Sequence, residues 1–386
     1  MRIVYVYQQM VDQAGTERIF TDKMNYLADY AGHEVVLLTY EQCSRSLAFP
    51  LSPLIKHIDL GMRNYPLYKY NFFVRLYKWH QLDKELQTKY DSFLLDFHPD
   101  VVITTTTYAR AVRMVGKCPV DSLRILESHI DRQFIMCNDP SCKENLKNWF
   151  RGRYDMHILT KYARKFDRLV ALNQPDADDW SRYLKTTTIT NMVHLNPTNK
   201  LADLVNNHVI FVGRYTEQKG IPDLLKVWEI VHSRYPDWIL DMYGDGGMRE
   251  EIEQMALKLA ANIHIHNTCS NIFDCYFESS ILVMTSLYEP FGLVLPEAMS
   301  CGLPVVAFDC PYGPANIITN EVDGYLIEGR SIDLFAEKVC SLIESRELRL
   351  TIGRSAVVSS KRYSPSYIMP IWDSFFNGLQ KNLSHK

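Results

Sequence analysis

The stretch Leu287-Tyr288-Glu289-Pro290-Phe291-Gly292-Leu293-Val294-Leu295-Pro296-Glu297-Ala298-Met299-Ser300-Cys301-Gly302-Leu303-Pro304-Val305-Val306-Ala307-Phe308-Asp309 decides how the chain is read. Cys310-Pro311-Tyr312-Gly313-Pro314-Ala315-Asn316 follows it. Glu289 and Glu297 flank a Gly-bearing turn and the start of a predicted helix. Pro304 to Phe308 is a short apolar strand, and a turn rich in Pro and Gly comes after it. A helix start offers free backbone N–H groups and a partial positive charge, which suits a phosphate. Two residues eight apart on one helix would lie about 12 Å apart along its axis, too far to share one small group. With Glu289 in the turn and Glu297 in the first helical turn, both can face one extended ligand. The other reading is that both acids simply favour the positive helix end. Pro296 must lie close to that helix start, since deeper it would remove a helix bond.

Working back from this stretch, the second half restarts at Val209-Ile210-Phe211-Val212, followed by Gly213-Arg214-Tyr215-Thr216-Glu217-Gln218-Lys219-Gly220. Arg214 and Lys219 bracket a turn between a strand and the helix from Pro222. A planar fork and a point charge both suit phosphate oxygens, although both residues also read as surface charges. Trp238 to Tyr243, Ile263 to His266 and Ile281 to Thr285 are further strands. The first half shows the same alternation. Arg2 to Tyr7 is a strand; a loop ends in Ala14-Gly15-Thr16-Glu17-Arg18; Ile19, Phe20, Met24, Leu27, Ala28 and Ala31 recur at helical spacing; Val35 to Tyr40 is the next strand. This is one βαβ unit without a Gly-x-Gly-x-x-Gly fingerprint. Asp100 to Thr105, Arg124 to Glu127 and Leu169 to Leu172 continue the strands. His129 follows the second of these, where open α/β sheets bind ligands, though a lone His is often structural. Asp176 and Asp178 imitate an Asp-x-Asp metal motif but sit behind Pro175 at a helix start, where acids are favoured. Strands alternating with helices twice over predict an α/β protein with two doubly wound parallel sheets facing a cleft. Residues 196–207 read as a linker and Tyr363 to Leu379 as a helical tail anchored by Trp372, Phe375 and Phe376.

A chain of 386 residues is too long for most single cores, which agrees with two domains. A net charge of -3 argues against nucleic acid as a partner. The first residues are too short and aromatic for a signal peptide, and no apolar run reaches membrane-spanning length. Nine cysteines at irregular spacings predict reduced thiols in a cytosolic protein. Cys137 and Cys142 lack the second ligand pair that zinc needs. Neither a metal nor a cofactor is expected. Asn64 to Tyr90 mixes Tyr65, Tyr68, Tyr70, Phe72, Phe73, Tyr77 and Trp79 with Lys69, Arg75, Lys78 and Lys84. Two readings stand: a helix that lies on anionic lipid, or one that packs its aromatics into the core.

Together these residues resemble glycosyltransferase family 4, the retaining enzymes of the GT-B fold. The resemblance runs over nearly the whole chain and is strongest from Val209 to Tyr325. Glu289-x7-Glu297 is similar to the family's Glu-x7-Glu motif, with Pro-Phe-Gly before the helix and Cys-Gly-Leu-Pro-Val behind it. Gly213-Arg214 with Lys219-Gly220 resembles its phosphate-binding turn. Ala14-Gly15-Thr16-Glu17-Arg18 resembles its Gly-Gly-x-Glu-Arg loop with Ala for the first Gly, and Glu127-Ser128-His129 resembles its Glu-x-His segment. The resemblance implies a domain order of 1–197 (acceptor-binding, Rossmann-like), 198–365 (nucleotide-sugar-binding, Rossmann-like) and 366–386 (a helix returning to the first domain).

It also implies residue roles. Arg214 and Lys219 would bind and stabilise the departing diphosphate, and Glu289 would contact the donor sugar. Glu297 would hold the ribose hydroxyls. Gly213 belongs to the phosphate turn, and the amides of Phe291, Gly292 and Leu293 would meet sugar and phosphate. Gly15 would let its loop approach the diphosphate, and His129 would hydrogen-bond the transferring sugar. Glu289, His129, Arg214 and Lys219 are the catalytic candidates. The implied reaction is metal-independent transfer of a hexose or N-acetylhexosamine, with retention, from a UDP-linked donor to a glycan or lipid-linked acceptor, as in bacterial surface polysaccharide assembly. The implied location is the cytoplasm, with peripheral contact to the inner face of the membrane. The alternatives are a UDP-sugar epimerase on the same fold and a non-catalytic nucleotide-sugar-binding subunit.

Overall fold

The computed structural model describes residues 1–12, 14–63, 70–130, 132–135, 146–198, 200–269 and 271–383. The chain divides into two compact units: Met1–Thr190 together with the chain from Met369, and Asn191–Ile368. The sequence reading set its divisions at 197/198 and 365/366.

The first unit is built on strands β1 (Arg2–Tyr7), β2 (Glu34–Thr39), β3 (Lys56–Asp59), β4 (Val101–Thr105), β5 (Leu123–Ser128), β6 (Arg168–Ala171) and β7 (Thr186–Thr188). All pair in parallel, in the order β3-β2-β1-β4-β5-β6-β7. The central strands are near-continuous runs of Val, Ile and Leu because helices cover both faces of the sheet. Val101 through Thr105 are all buried, as are Ile3 through Tyr7. β3 and β7 escape the sequence reading, since at the sheet edges they carry His57 and Asp59, or Thr186 to Thr188, in place of apolar runs.

The second unit repeats the plan with β8 (His208–Val212), β9 (Ile239–Tyr243), β10 (Ile263–His266), β11 (Ile281–Met284), β12 (Val305–Phe308) and β13 (Tyr325–Ile327), in the order β10-β9-β8-β11-β12-β13. On one face Phe211, Leu240 and Met242 pack with Trp228 and Leu225 of the helix Ile221–Arg234 and with Phe335 and Val339 of Ile332–Glu344. In both sheets the order reverses beside the first strand, between β1 and β4 and between β8 and β11. Crevices at the carboxyl ends of such strands are where ligands bind in this architecture.

The tail forms the helix Pro365–Leu383, longer than read from sequence. Ile368, Met369, Trp372, Phe376 and Leu379 make its buried stripe at spacings of three and four. Asp373 accepts from His33 at 3.1 Å, and Trp372 lies 4.0 Å from the Lys23 ammonium, which ties this helix to the helix Gly15–Asp29. Among the described residues no helix is long and apolar enough to cross a membrane.

Candidate active site

In the second unit, two loops leave the carboxyl ends of β8 and β11, on either side of the strand-order reversal. They are bonded to each other along their length. Leu287 N–H donates to the Gln218 carbonyl at 2.8 Å, Gln218 Nε2 donates to the Tyr288 carbonyl at 3.0 Å, and Thr285 Oγ1 donates to the Lys219 carbonyl at 3.0 Å. Gly220 permits this contact: its φ is +60°, and a Cβ there would stand 2.1 Å from the Thr285 carbonyl oxygen. Arg330 holds the same loop from behind, donating to the carbonyls of Ser286 and Thr285 and to Asp223. Burial alone would raise the Asp223 carboxyl, but the Arg330 guanidinium outweighs it and keeps the group below the usual carboxylate range.

This frame brings Lys219 and Glu289 together. The Lys219 ammonium donates directly to the Glu289 carboxylate, which also accepts from Ser286 Oγ at 3.1 Å. Arg214 is exposed on the same turn and donates to Gln218 at 3.3 Å. Gly213, at the end of β8, precedes it. Glu289 forms a bridge with Tyr312, so the loops after β11 and β12 run side by side. Cys310 lies in that second loop. Burial, then the Glu289 charge, pushes its thiol up to about 12, so it stays protonated and inert near neutral pH.

Past Glu289 the chain turns at Phe291, Gly292 and Leu293 into the helix Val294–Ser300. Gly292 has φ +93°, a conformation that side-chain-bearing residues rarely adopt, and it aims the backbone of this turn. Phe291 is buried edge-on against Tyr363, 5.5 Å between ring centres. Pro296 sits in the first turn, where it removes no helix bond, as its chemistry requires. Glu297 follows it, also in the first turn, buried and accepting from Tyr276 Oη at 3.2 Å. The two glutamates therefore occupy different elements, one in the turn and one in the helix, as the reading with one extended ligand requires.

In the first unit His129 follows β5 and is buried edge-on against Phe20. Its Nε2 lies 2.9 Å from Glu127 Oε2, and the ammonium of Lys23 closes on both oxygens of the same carboxylate. Burial by itself would raise the Glu127 carboxyl; Lys23 and His129 outweigh it and hold the group below its ordinary value. An ionised Glu127 fixes the orientation of the imidazole and favours a proton on Nε2, leaving Nδ1 as the acceptor. Gly15 is the exposed first residue of the helix Gly15–Asp29, with Ala14 at its cap. The buried Glu17 in its first turn accepts from Tyr7 Oη at 3.3 Å.

Other sequence expectations fall into place. Asp176 and Asp178 lie in the helix Gln174–Ser181, with Asn173 Oδ1 accepting from the Asp176 N–H at 3.0 Å and Asp178 accepting from Gln174. Asp176 is a helix-start acid, as expected, while Asp178 lies in the second turn. Cys137, Cys142, Tyr65, Tyr68 and Lys69 lie outside the described residues. The helix Phe72–Phe97 packs Leu86, Tyr90 and Leu94 inward, but Phe73 is 80% and Tyr77 63% exposed, so the core reading fails for its first turns. Lys23, Ser286, Tyr276 and Arg330 were missed as supporting residues. No local pattern announces them, because most of their partners lie far along the chain: Lys23 and Glu127 are 104 residues apart. Asp241, His264 and His266 form a group able to hold a metal ion, which the sequence reading also passed over.

Residues 197–357 match the family of glycosyl transferases group 1. An uncharacterised glycosyltransferase of Haemophilus influenzae is 31% identical over 230 residues, 58% of this chain and 65% of that protein. The amylovoran biosynthesis glycosyltransferase AmsD of Erwinia amylovora is 35% identical over 189 residues, 48% of this chain and 53% of AmsD. The chain thus matches between about half and two thirds of the length of these relatives. Among solved structures, a TarM mutant of S. aureus in complex with fondaparinux, α-GlcNAc-glycerol and UDP superposes with a TM-score of 0.78, covering 98% of this chain and all of that one at 16% identity. At that identity the likeness speaks to the fold alone, and the fold is that of the GT-B glycosyltransferases. The match over residues 197–357, set on this pair of parallel sheets, supports a glycosyltransferase of group 1.

Proposed function

We propose that the chain is a retaining glycosyltransferase of family 4 that moves a hexose or N-acetylhexosamine from a UDP-linked donor to a glycan or lipid-linked saccharide. The observation that carries the reading is the Lys219–Glu289 pair at the strand-order reversal of the second sheet, followed by the Gly292 turn and Glu297. In this reading the second unit, 198–365 by the sequence division, holds the nucleotide sugar, and the first unit receives the acceptor.

The chemistry follows from the residues. Breaking the bond between the anomeric carbon and the diphosphate puts negative charge on the leaving oxygen. Arg214, exposed and lightly held, and Lys219 neutralise that charge, with the backbone of Gly213 and of Phe291, Gly292 and Leu293 close to sugar and phosphate. Charge preorganised in this way lowers the barrier without reorganisation at the moment of reaction. Glu289 takes sugar hydroxyls and Glu297 the ribose hydroxyls. Glu289 is already engaged by Lys219 and Ser286, which suits a binding group better than a nucleophile. Bond formation on the face the nucleotide leaves, through an ion pair, retains the configuration. His129 Nδ1 accepts from a hydroxyl of the transferring sugar. The UDP preference is consistent with the UDP bound in the TarM structure, and a polysaccharide-type acceptor with the name of AmsD.

Exposed Phe73 and Tyr77 beside Arg75 and Lys78 support peripheral contact with an anionic membrane. Liposome flotation at low salt tests that part: absence of co-flotation with anionic vesicles removes it. For the reaction, purified protein is incubated with a set of UDP-sugars and free UDP is measured, alongside thermal shifts with UDP and GDP. Release of UDP from one donor is expected. Stabilisation by GDP and not UDP would overturn the donor class, and interconversion of a UDP-sugar without acceptor would replace transfer by epimerisation.

A further inference from the structure

The outer part of the second sheet carries a group of side chains that the proposed transfer reaction does not use. His208 lies on β8, Asp241 on β9, and His264 and His266 on the edge strand β10. Side chains alternate across a strand. Leu240 and Met242 point into the core under the helix Ile221–Arg234, so Asp241 points to the opposite face. His264 is the register partner of Asp241, and His266, two residues on, falls on the same face. The sheet thus delivers two imidazoles from one strand and a carboxylate from its neighbour to one point.

The atoms converge. Asp241 Oδ1 lies 2.7 Å from His266 Nε2 and 3.5 Å from His264 Nδ1. The three ligand atoms all lie within 4.8 Å of one another. A tetrahedral ion bound at about 2.1 Å holds its ligand atoms about 3.4 Å apart, so small rotations of the two rings suffice. The other oxygen, Oδ2, is held from behind by His208 Nδ1 at 2.5 Å. Such an outer partner orients a ligating carboxylate. Tyr243 stacks on the His266 ring at 4.4 Å and 13°, fixing its plane. The Asp241 side chain is 8% exposed, and its ion partners among the described residues are these histidines, with no lysine or arginine. A buried carboxylate without a permanent cation is costly, and a divalent ion removes that cost. His264 and His266 are half-exposed, which leaves an outward position for water.

We propose that Asp241, His264 and His266 bind one divalent transition-metal ion of the zinc class, with His208 orienting the carboxylate. Imidazole and carboxylate donors suit zinc and its neighbours rather than magnesium or calcium. His264 ligates through Nδ1 and His266 through Nε2, each keeping its proton on the other ring nitrogen. The ion pins the edge strand β10 to β9. The site is independent of the sugar-transfer reading, and its test uses no activity.

The test is calorimetric titration of the full chain with Zn(II), followed by Co(II) absorption spectroscopy. One equivalent is expected to bind, with a Co(II) spectrum showing visible d–d bands and no intense near-ultraviolet thiolate band. His264→Ala changes a half-exposed edge side chain and leaves the fold intact by circular dichroism; it should weaken binding at least about tenfold. Asp241→Asn, which keeps the shape and removes the charge, should do the same. Wild-type binding no tighter than that of the His264→Ala/His266→Ala double variant overturns the site. A thiolate band that persists in the double variant assigns the ion to cysteines instead, and also overturns it.

Discussion

Among the described residues each unit holds one largely buried lysine–glutamate pair, and the two pairs differ in one respect that separates their roles. Lys23 and Glu127 are each 3% exposed, the ammonium lying against Trp372 and the carboxylate finished by His129. Lys219 and Glu289 are 13% and 11% exposed and lie in loops at the carboxyl ends of strands. A charge pair sealed from water cannot change partners, because separating it leaves a bare ion in a low dielectric. A pair at the edge of water can open to a phosphate or a hydroxyl, because solvent and ligand replace what is lost. The inner pair therefore sets the position of His129, while the outer pair, in the proposed reading, exchanges partners with a ligand. On that reading burial, and not residue type, makes one an anchor and the other a receiving group.

The comparison breaks most readily at the inner pair. Lys23→Ala or Glu127→Ala strands an uncompensated buried charge and should cost about 3–5 kcal/mol in urea unfolding. The double change Lys23→Met/Glu127→Gln should recover part of that loss. Single variants as stable as wild type would show that the pair anchors nothing. At the outer pair the stability cost should be small and the kinetic cost large. Lys219→Ala is expected to lower kcat on the identified donor by about 10²–10³, as when one charge-stabilising donor is removed from an active site. Unchanged turnover in Lys219→Ala and Glu289→Ala would withdraw the site assignment.

Acid should also test the inner pair. The folded Glu127 carboxyl lies below its ordinary value of 4.5, so the unfolded chain takes up that proton first. Its stabilisation is complete above about pH 4.5 and is lost as pH falls through the lowered value. Urea midpoints followed from pH 6 downward, a range of about two units, should fall more steeply in wild type than in Lys23→Met/Glu127→Gln. Parallel curves would contradict the assignment. The smallest effect is expected at Tyr276→Phe, which removes one hydrogen bond to Glu297. A loss of about 0.5–1.5 kcal/mol corresponds to a rise in donor KM of several fold with kcat unchanged, and a fall in kcat alone would place Glu297 elsewhere than on the ribose.

Much of this was legible in the chain itself. The apolar runs at Ile3–Tyr7, Val101–Thr105, Val209–Val212 and Val305–Phe308 announced buried parallel strands, because a strand covered on both faces has no polar side to show. Glu289, Gly292, Pro296 and Glu297 announced a turn and a helix start by local chemistry alone. Both edges of the first sheet stayed hidden, since β3 and β7 carry polar residues, and in the second sheet the three-residue edge strand β13 was passed over although β10 was read. In the helix Phe72–Phe97 the aromatic content misled: Phe73 and Tyr77 stand outside the core that Tyr90 and Leu94 enter. His264-x-His266 is a spacing that puts two imidazoles on one side of a strand, but nothing nearby revealed that Asp241 would face them.

The sequence by itself determined the two doubly wound sheets, the order of their strands in the chain, and the turns that carry Lys219, Glu289 and Glu297. These depend on periodicity, turn residues and helix ends, all of them local. Only the tertiary structure decided which charges meet: Lys23 with Glu127, Lys219 with Glu289, Arg330 with Asp223, and Asp241 with its three histidines. Those partners lie on different strands and helices, and the strand order of each sheet, rather than distance along the chain, sets which side chains share a low-dielectric space.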